Sequence, residues 1–290
     1  MRWGLFDTVV IVDWSAKATP SPARPSKDAI WVGVRRAGHA QSRYFRTRQA
    51  AEVALGDLLE DERTAGRRVL AGFDFAFGYP AGFAARLTGQ DDARSVWAWL
   101  AGHIRDTDRN ETNRLQVGGQ INAVFAPARG PFWGRPAAQD VAHLPFTKDV
   151  DYAAIGLSER RAIERLMPGA KPVFQLMGAG SVGSQALTGL PMIHRLQQRT
   201  GCAVWPFDAI AGAALVLAEV YPSILNAAVA HDAAPIKDEA QVRLLAQSLW
   251  ALGRHGQLAP LFDVPSEALT EGWILGAGHA ALMEQALGWS

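Results

Sequence analysis

The stretch Thr8-Val-Val-Ile-Val12 is a continuous run of β-branched and apolar residues, and Asp13 follows it directly. An unbroken apolar run of this length is typical of a strand that is buried on both faces. A carboxylate next to such a strand is costly unless a cation or hydrogen bonds compensate it. The stretch therefore predicts a buried strand of an α/β sheet with a polar site at its end.

Two further apolar runs carry an acid in the same place, near the carboxyl end of the run. Residues 69–73 are followed by Asp74, and the strand predicted over residues 215–220 contains Glu219. In open α/β sheets the ligand crevice lies beyond the carboxyl ends of parallel strands. We therefore expect these two carboxylates to converge with that of Asp13 in one cleft. Alternatively, each acid could cap the turn or helix that follows it.

Carboxylates that share a cleft can hold hard divalent cations such as Mg²⁺ or Mn²⁺. Two such ions about 4 Å apart can activate water and stabilise the leaving oxygen in phosphodiester cleavage. A fourth acid, Glu271, lies near the start of a helix predicted over residues 266–287, on the same stripe as Leu275 and Leu282. It could assist the other acids, or be a first-turn acid that the helix dipole favours.

The remaining pattern predicts a mixed α/β sheet with helices on both faces. Strands are expected over residues 29–35 and 42–47, and with the first strand they form a meander. A helix over residues 49–66 then acts as a crossover, which favours a parallel partner for the strand that ends before Asp74. Residues 17–28 hold three prolines and form a loop.

The second half predicts a short helix, two strands and two closing helices. These cover residues 158–167, 173–177, 202–207, 237–252 and 266–287. No linker divides the chain, so we expect one domain over residues 1–290.

Residues 105–150 are rich in glycine and proline and weakly periodic, which predicts an insertion or lid over the cleft. Arg129 and Arg135 of this segment could bind substrate phosphate, and so could Lys237 and Arg243 near the start of a later helix. For the last two, a solvated helix face is the alternative. The pair Phe132-Trp133 could cover a base or anchor the insertion to the body of the protein.

Gly178-Ala-Gly-Ser-Val-Gly183 matches the glycine pattern of a dinucleotide-binding turn. The context is poor, because the nearest suitable acid, Asp208, lies too far along the chain and Pro191 interrupts the helix that should follow. We therefore expect a tight turn whose backbone amides point into the cleft, where they could hold a phosphate.

Composition excludes several classes of protein. The 290 residues include 29 basic and 28 acidic side chains, so the net charge of +1 does not indicate a nucleic-acid packaging protein. The single cysteine, Cys202, excludes an intrachain disulfide and favours a reducing compartment. With neither a signal-peptide pattern nor a membrane-length apolar run, we expect a soluble cytoplasmic protein without a membrane partner. The oligomeric state stays open.

The order of meander, crossover helix and acid-bearing fourth strand resembles the ribonuclease H superfamily. More narrowly, the chain resembles an RNase H-like family of predicted nucleases. The segments that carry the resemblance are Val-Asp13-Trp-Ser, Gly72-Phe-Asp74-Phe-Ala-Phe-Gly-Tyr-Pro80, Gly130-Pro-Phe-Trp-Gly134, Val173-Phe-Gln-Leu-Met-Gly-Ala-Gly-Ser-Val-Gly183, Glu219-Val-Tyr-Pro222 and Lys237-Asp-Glu.

The resemblance implies an RNase H-like fold with Asp13, Asp74 and Glu219 at the family's acidic positions. Glu271 departs from the pattern, because relatives usually have Asp there. The function that these observations favour is a hydrolase, a divalent-metal-dependent phosphodiesterase or nuclease, that acts on nucleic acid or a small nucleotide. Two alternatives stay open: a nucleotide- or ATP-handling enzyme on the same fold, and a non-catalytic binding protein that retains the pocket.

Overall fold

The structure is a computed structural model that describes residues 6–167, 169–178 and 181–289. These residues form a six-stranded mixed sheet with helices on both faces. The strands are β1 (Thr8–Asp13), β2 (Ile30–Arg36), β3 (His39–Phe45), β4 (Val69–Phe73), β5 (Ala203–Val204) and β6 (Leu215–Glu219). The α-helices are α1 (Arg48–Thr64), α2 (Phe83–Thr88), α3 (Ala93–His103), α4 (Arg114–Val124), α5 (Ala162–Leu166), α6 (Gly183–Thr200), α7 (Asn226–Ala230), α8 (Lys237–Arg254), α9 (Ala268–Glu271) and α10 (Ala280–Ala286).

The strands lie in the order β3-β2-β1-β4-β6-β5. The first three form an antiparallel meander, and β4, β6 and β5 continue the sheet in parallel with β1. The predicted meander and the predicted parallel fourth strand are confirmed. In this register Val12 lies opposite Phe73, and Phe73 lies opposite Glu219.

Each face of the sheet buries one apolar cluster because successive strand side chains point to opposite faces. Val10 and Val12 of β1 pack into the cluster that includes residues of α1 and α6. Val9 and Ile11 pack into the other cluster, which includes residues of α8. We call these sides the α1/α6 face and the α8 face.

A glycine sets how closely α8 approaches the sheet. A Cβ atom added at Gly33 of β2 would lie 2.6 Å from the carbonyl oxygen of Val242 of α8. No side chain fits in that space, so glycine allows the helix to lie directly against the strand. This contact positions the first turn of α8 near the carboxyl end of β1.

The predicted closing helix over residues 266–287 is wrong. The helix α9 ends at Glu271, and Gly272 follows with a φ of 77°. Gly276 and Gly278 also have positive φ values before α10 begins. The glycines end the helical pattern because each adopts a left-handed backbone conformation that breaks it.

Three smaller predictions also differ from the structure. Residues 173–177 contain only a single bridge, between Gln175 and Trp133, and the strand predicted over residues 202–207 is reduced to β5. Pro191 does not interrupt its helix, since α6 continues through it. Burial of residues along α6 on both sides of the proline outweighs the lost hydrogen bond.

Within the part of the chain that the structure describes, we find no helix that is both long enough and apolar enough to cross a membrane.

Candidate functional site

Asp13 and Asp74 form a carboxyl pair at the end of two neighbouring parallel strands. Asp13 is the last residue of β1, and Asp74 follows β4 directly. The backbone N–H of Trp14 donates to Asp74 Oδ1 at 2.6 Å, which fixes this carboxylate beside β1. Of the predicted acids, these two are the ones that the structure brings together.

Both carboxyl groups of the pair have a raised pKa. Burial, and then the charge of Asp74, raise the pKa of Asp13 well above its ordinary value. Burial raises the pKa of Asp74 to about 6, although hydrogen bonds from Asp13 and from the Trp14 N–H lower it. Two carboxylates so placed repel each other when both are ionised, so the metal-free pair retains a proton toward neutral pH.

Asp238, in the first turn of α8, faces this pair. Its negative charge raises the pKa of both Asp13 and Asp74. The backbone N–H of Asp28 donates to Asp238 Oδ2 at 2.6 Å, which ties the helix to the loop before β2. Sequence reasoning missed this residue as a site acid, because its place in a first helical turn indicates only a dipole-stabilising acid.

Lysines border the acidic cluster. Burial raises the pKa of Asp238, and the ammonium groups of Lys237 and Lys17 act in the opposite direction. Lys17 Nζ also donates to the carbonyl oxygen of Lys27, at 3.3 Å. The loop over residues 17–28 and the start of α8 therefore each place a lysine close to Asp238.

A buried arginine fixes the chain that leaves Asp13. Arg48 Nη1 donates to the carbonyl oxygens of Ser15 at 3.1 Å and of Lys17 at 2.7 Å. The same guanidinium forms an ion pair with Asp106 and donates to the carbonyl oxygen of Asn110 at 2.8 Å. The start of the 105–150 insertion is thereby joined to the segment that follows the first acid. Nothing in the local sequence pattern indicates this role.

Glu219 does not join the pair, contrary to the expectation from sequence. Arg161 binds its carboxylate with both terminal nitrogens, at 2.6 and 2.7 Å, and the N–H of Phe77 donates to it at 3.0 Å. The physical reason is register. Glu219 lies opposite Phe73, which packs on the α1/α6 face, whereas Asp13 lies opposite Trp31, which packs on the α8 face.

Glu271 also lies apart from the aspartates, and backbone N–H groups bind its carboxylate. Its carboxylate accepts the backbone N–H of Ala81 at 2.9 Å and that of Ala162 at 2.5 Å. The carbonyl oxygen of Glu271 accepts a hydrogen bond from Arg161, at 3.2 Å. Burial alone would lower the pKa of Arg161, but the charges of Glu219 and Glu164 raise it above its ordinary value.

Three of the arginines and lysines predicted to bind phosphate have carboxylate partners. Arg129 pairs with Asp149 at 2.5 Å, and Arg243 pairs with Asp232. Arg135 donates to the carbonyl oxygen of Leu144 at 3.0 Å, and its guanidinium lies 3.5 Å from the carboxylate of Asp140. Of the four predicted residues, Lys237 is the one whose charge acts on an acid of the cluster, because it lowers the pKa of Asp238.

Phe132 anchors the insertion, as one of the two interpretations of Phe132-Trp133 predicts. It is fully buried, and its ring lies 5.3 Å from that of Phe174 and 6.1 Å from that of Phe83. Trp133 is half-buried. Part of the glycine-rich turn over residues 178–183 lies outside the described residues.

Among the described residues, no group of three or more His, Cys, Asp and Glu side chains is arranged to hold a metal ion. The site therefore offers two adjacent carboxylates and a third acid that faces them. No family model, curated protein or solved structure matches the chain.

Proposed function

We propose that this chain is a divalent-metal-dependent phosphodiester hydrolase, a nuclease or a related phosphodiesterase, on a ribonuclease-H-like fold. The observation that carries the proposal is the carboxyl pair of Asp13 and Asp74. Two half-buried acids at adjacent strand ends that repel each other when ionised are costly for stability, and such an arrangement is typical of a functional site.

The strand order supports the fold assignment. An antiparallel meander, a crossover helix and a parallel fourth strand, with acids after the first and fourth strands, is the arrangement that the resemblance implies. The acid on α8 adds to it. Asp238 lies in the Lys237-Asp-Glu segment, one of the segments that carry the resemblance.

The residues present fit Mg²⁺ or Mn²⁺. Mg²⁺ in proteins is usually bound through one or two carboxylates, with waters and substrate phosphates completing its shell. Asp13 and Asp74 would hold the ion, and Asp238 would contribute charge from the helix that faces them. When bound, the ion supplies an activated water and stabilises the negative charge that develops on the phosphate.

The other residues position the site and the substrate. The N–H of Trp14 holds the carboxylate of Asp74 in place, and Arg48 fixes the chain that leaves Asp13. Lys17 and Lys237 place positive charge beside Asp238, where a phosphodiester would lie. In this proposal Glu219 and Glu271 stabilise the fold around the site and do not bind the ion.

The test is hydrolysis of labelled single-stranded DNA, labelled RNA and bis(p-nitrophenyl) phosphate in Mg²⁺ or Mn²⁺, with EDTA as the metal-free control. Asp13→Asn and Asp74→Asn should each reduce the rate by at least about 100-fold, because each removes a metal ligand. Asp91→Asn alters an exposed acid outside the site and should retain the wild-type rate.

Metal-dependent cleavage that survives in both site variants would contradict the proposal. Binding of an oligonucleotide without any cleavage would also overturn it, in favour of the non-catalytic binding protein.

A further inference from the structure

A cavity lies on the α1/α6 face, and none of the three aspartates lines it. Its volume is about 580 Å³, and its walls come from the first half of α1, from α6 between Thr188 and Arg199, and from residues 104–107. Trp14 contributes to its inner wall and donates from its indole Nε1 to Thr188 Oγ1 at 3.3 Å. A cavity of this volume is large enough for a drug-sized or nucleotide-sized molecule.

Arginine dominates the charge of this cavity. Three of its four arginines have carboxylate partners: Arg48 pairs with Asp106, Arg195 pairs with Glu52 at 2.6 Å, and Arg199 pairs with Asp57 at 2.9 Å. The fourth arginine, Arg105, differs from these three. In the described parts of the chain its guanidinium has neither an ion pair nor a hydrogen bond. The cavity wall therefore carries an uncompensated positive charge.

The same cavity has an apolar side. Val53 of α1 is 60% exposed, an unusual position for a large aliphatic side chain, and it lines the cavity together with Ile104 and Leu196. An exposed valine close to an unpaired guanidinium fits a ligand that has both an apolar body and an anionic group.

We infer that this cavity binds a small phosphorylated organic molecule of mononucleotide size, with its phosphate on Arg105 and its apolar body against Val53. A guanidinium presents paired donors that match phosphate oxygens. Arg195 and Arg199 add positive charge at the same wall, although each is already paired. The inference does not depend on the proposed hydrolase activity, because the aspartates lie on the α8 face.

The experiment is isothermal titration calorimetry with AMP as the probe, in EDTA so that no divalent metal is present. The wild-type protein should bind AMP, whereas adenosine and inorganic phosphate should each bind at least about tenfold more weakly. Such a loss is expected when a charged hydrogen bond or an apolar contact is removed. Equal affinity for AMP and adenosine would contradict the role of Arg105, and equal affinity for AMP and phosphate would contradict the apolar contact.

Two variants and two controls locate the site. Arg105→Ala and Val53→Asp should each weaken AMP binding by about tenfold or more. Arg109→Ala removes an exposed arginine from the same loop outside the cavity, and Asp91→Asn alters an exposed acid outside it; both should bind AMP as the wild type does.

No AMP binding by the wild type, or equal weakening by Arg105→Ala and Arg109→Ala, would overturn the inference. Because the binding is measured without metal and without hydrolysis, its failure is distinct from a failure of the proposed activity.

Discussion

Glu219 lies opposite Phe73 in the parallel register of β6 and β4, one residue before the position of Asp74. Side chains alternate between the two faces of a strand, so this offset of one residue directs the Glu219 carboxylate to the α1/α6 face. Arg161 meets it there and forms a buried ion pair. The third apolar run that ends in an acid therefore contributes to the stability of the fold, while the first two contribute to the site.

Glu219→Gln should destabilise the protein without removing metal binding. The substitution leaves Arg161 buried with only Glu164 as a carboxylate partner, and breaking a buried ion pair costs about 3 kcal/mol. Urea unfolding would measure this loss. The increase in melting temperature on adding Mg²⁺ should persist in the variant. Its loss would show that Glu219 is a metal ligand. Glu60→Gln breaks an exposed ion pair and is the control, with little expected change.

Asp13→Asn, in contrast, should not lower the stability of the metal-free protein. Removing one charge from the acidic cluster relieves its repulsion with Asp74 and Asp238, so stability should rise or stay the same. The increase in melting temperature that Mg²⁺ gives the wild type should be lost. Thermal melts with and without Mg²⁺, compared with those of Asp91→Asn, decide the matter. A Mg²⁺ effect that is unaltered in Asp13→Asn would exclude this residue as a ligand.

The stability of the metal-free protein should fall as the pH rises through the titration of Asp74. Its pKa in the folded state is raised from 3.8 to about 6, so the folded protein binds this proton more tightly than the unfolded chain does. The resulting stability is fully present below about pH 4 and is lost by about pH 7, with a total change of up to about 3 kcal/mol.

The measurement is the free energy of unfolding of the wild type minus that of Asp74→Asn, in EDTA between pH 4 and pH 7 (a range of about three units around this titration). The difference removes the contributions of carboxyls elsewhere, such as Asp232, whose pKa is lowered by Arg243. A difference that is constant across this range would show that Asp74 titrates normally.

Sequence patterns were sufficient for the central strands of the sheet because these are apolar runs with few competing interpretations. Residues 8–12 and 69–73 are buried on both faces, as their unbroken apolar character indicates. The partner of each acid was not predictable in the same way. Arg161, which determines the role of Glu219, lies 58 positions before it in the chain. Only the folded register brings the two together.

The helical prediction for Glu271 failed for a different reason. Apolar residues at helical spacing continue through residues 271–282, so the pattern favours one long helix. The three glycines in this stretch all adopt positive φ values and break it. Asp238 could not be assigned from the sequence either. Its approach to the aspartate pair depends on the close contact between α8 and β2, which no helical periodicity reveals.

That contact gives the last prediction. Gly33→Ala would place a Cβ atom 2.6 Å from the carbonyl oxygen of Val242, so α8 must move away from β2. We expect a loss of about 1–3 kcal/mol from overpacking and, because Asp238 moves with the helix, a weaker affinity for Mg²⁺. Unfolding in urea and titration with Mg²⁺ measure the two effects. Gly102→Ala is the matched control: this helical glycine has open space around it, and alanine there should stabilise α3 by about 0.5–1 kcal/mol. A Gly33→Ala protein with lowered stability and the wild-type Mg²⁺ affinity would contradict this expectation. The position of α8 would then not affect the site, and Asp238 would have no role in metal binding.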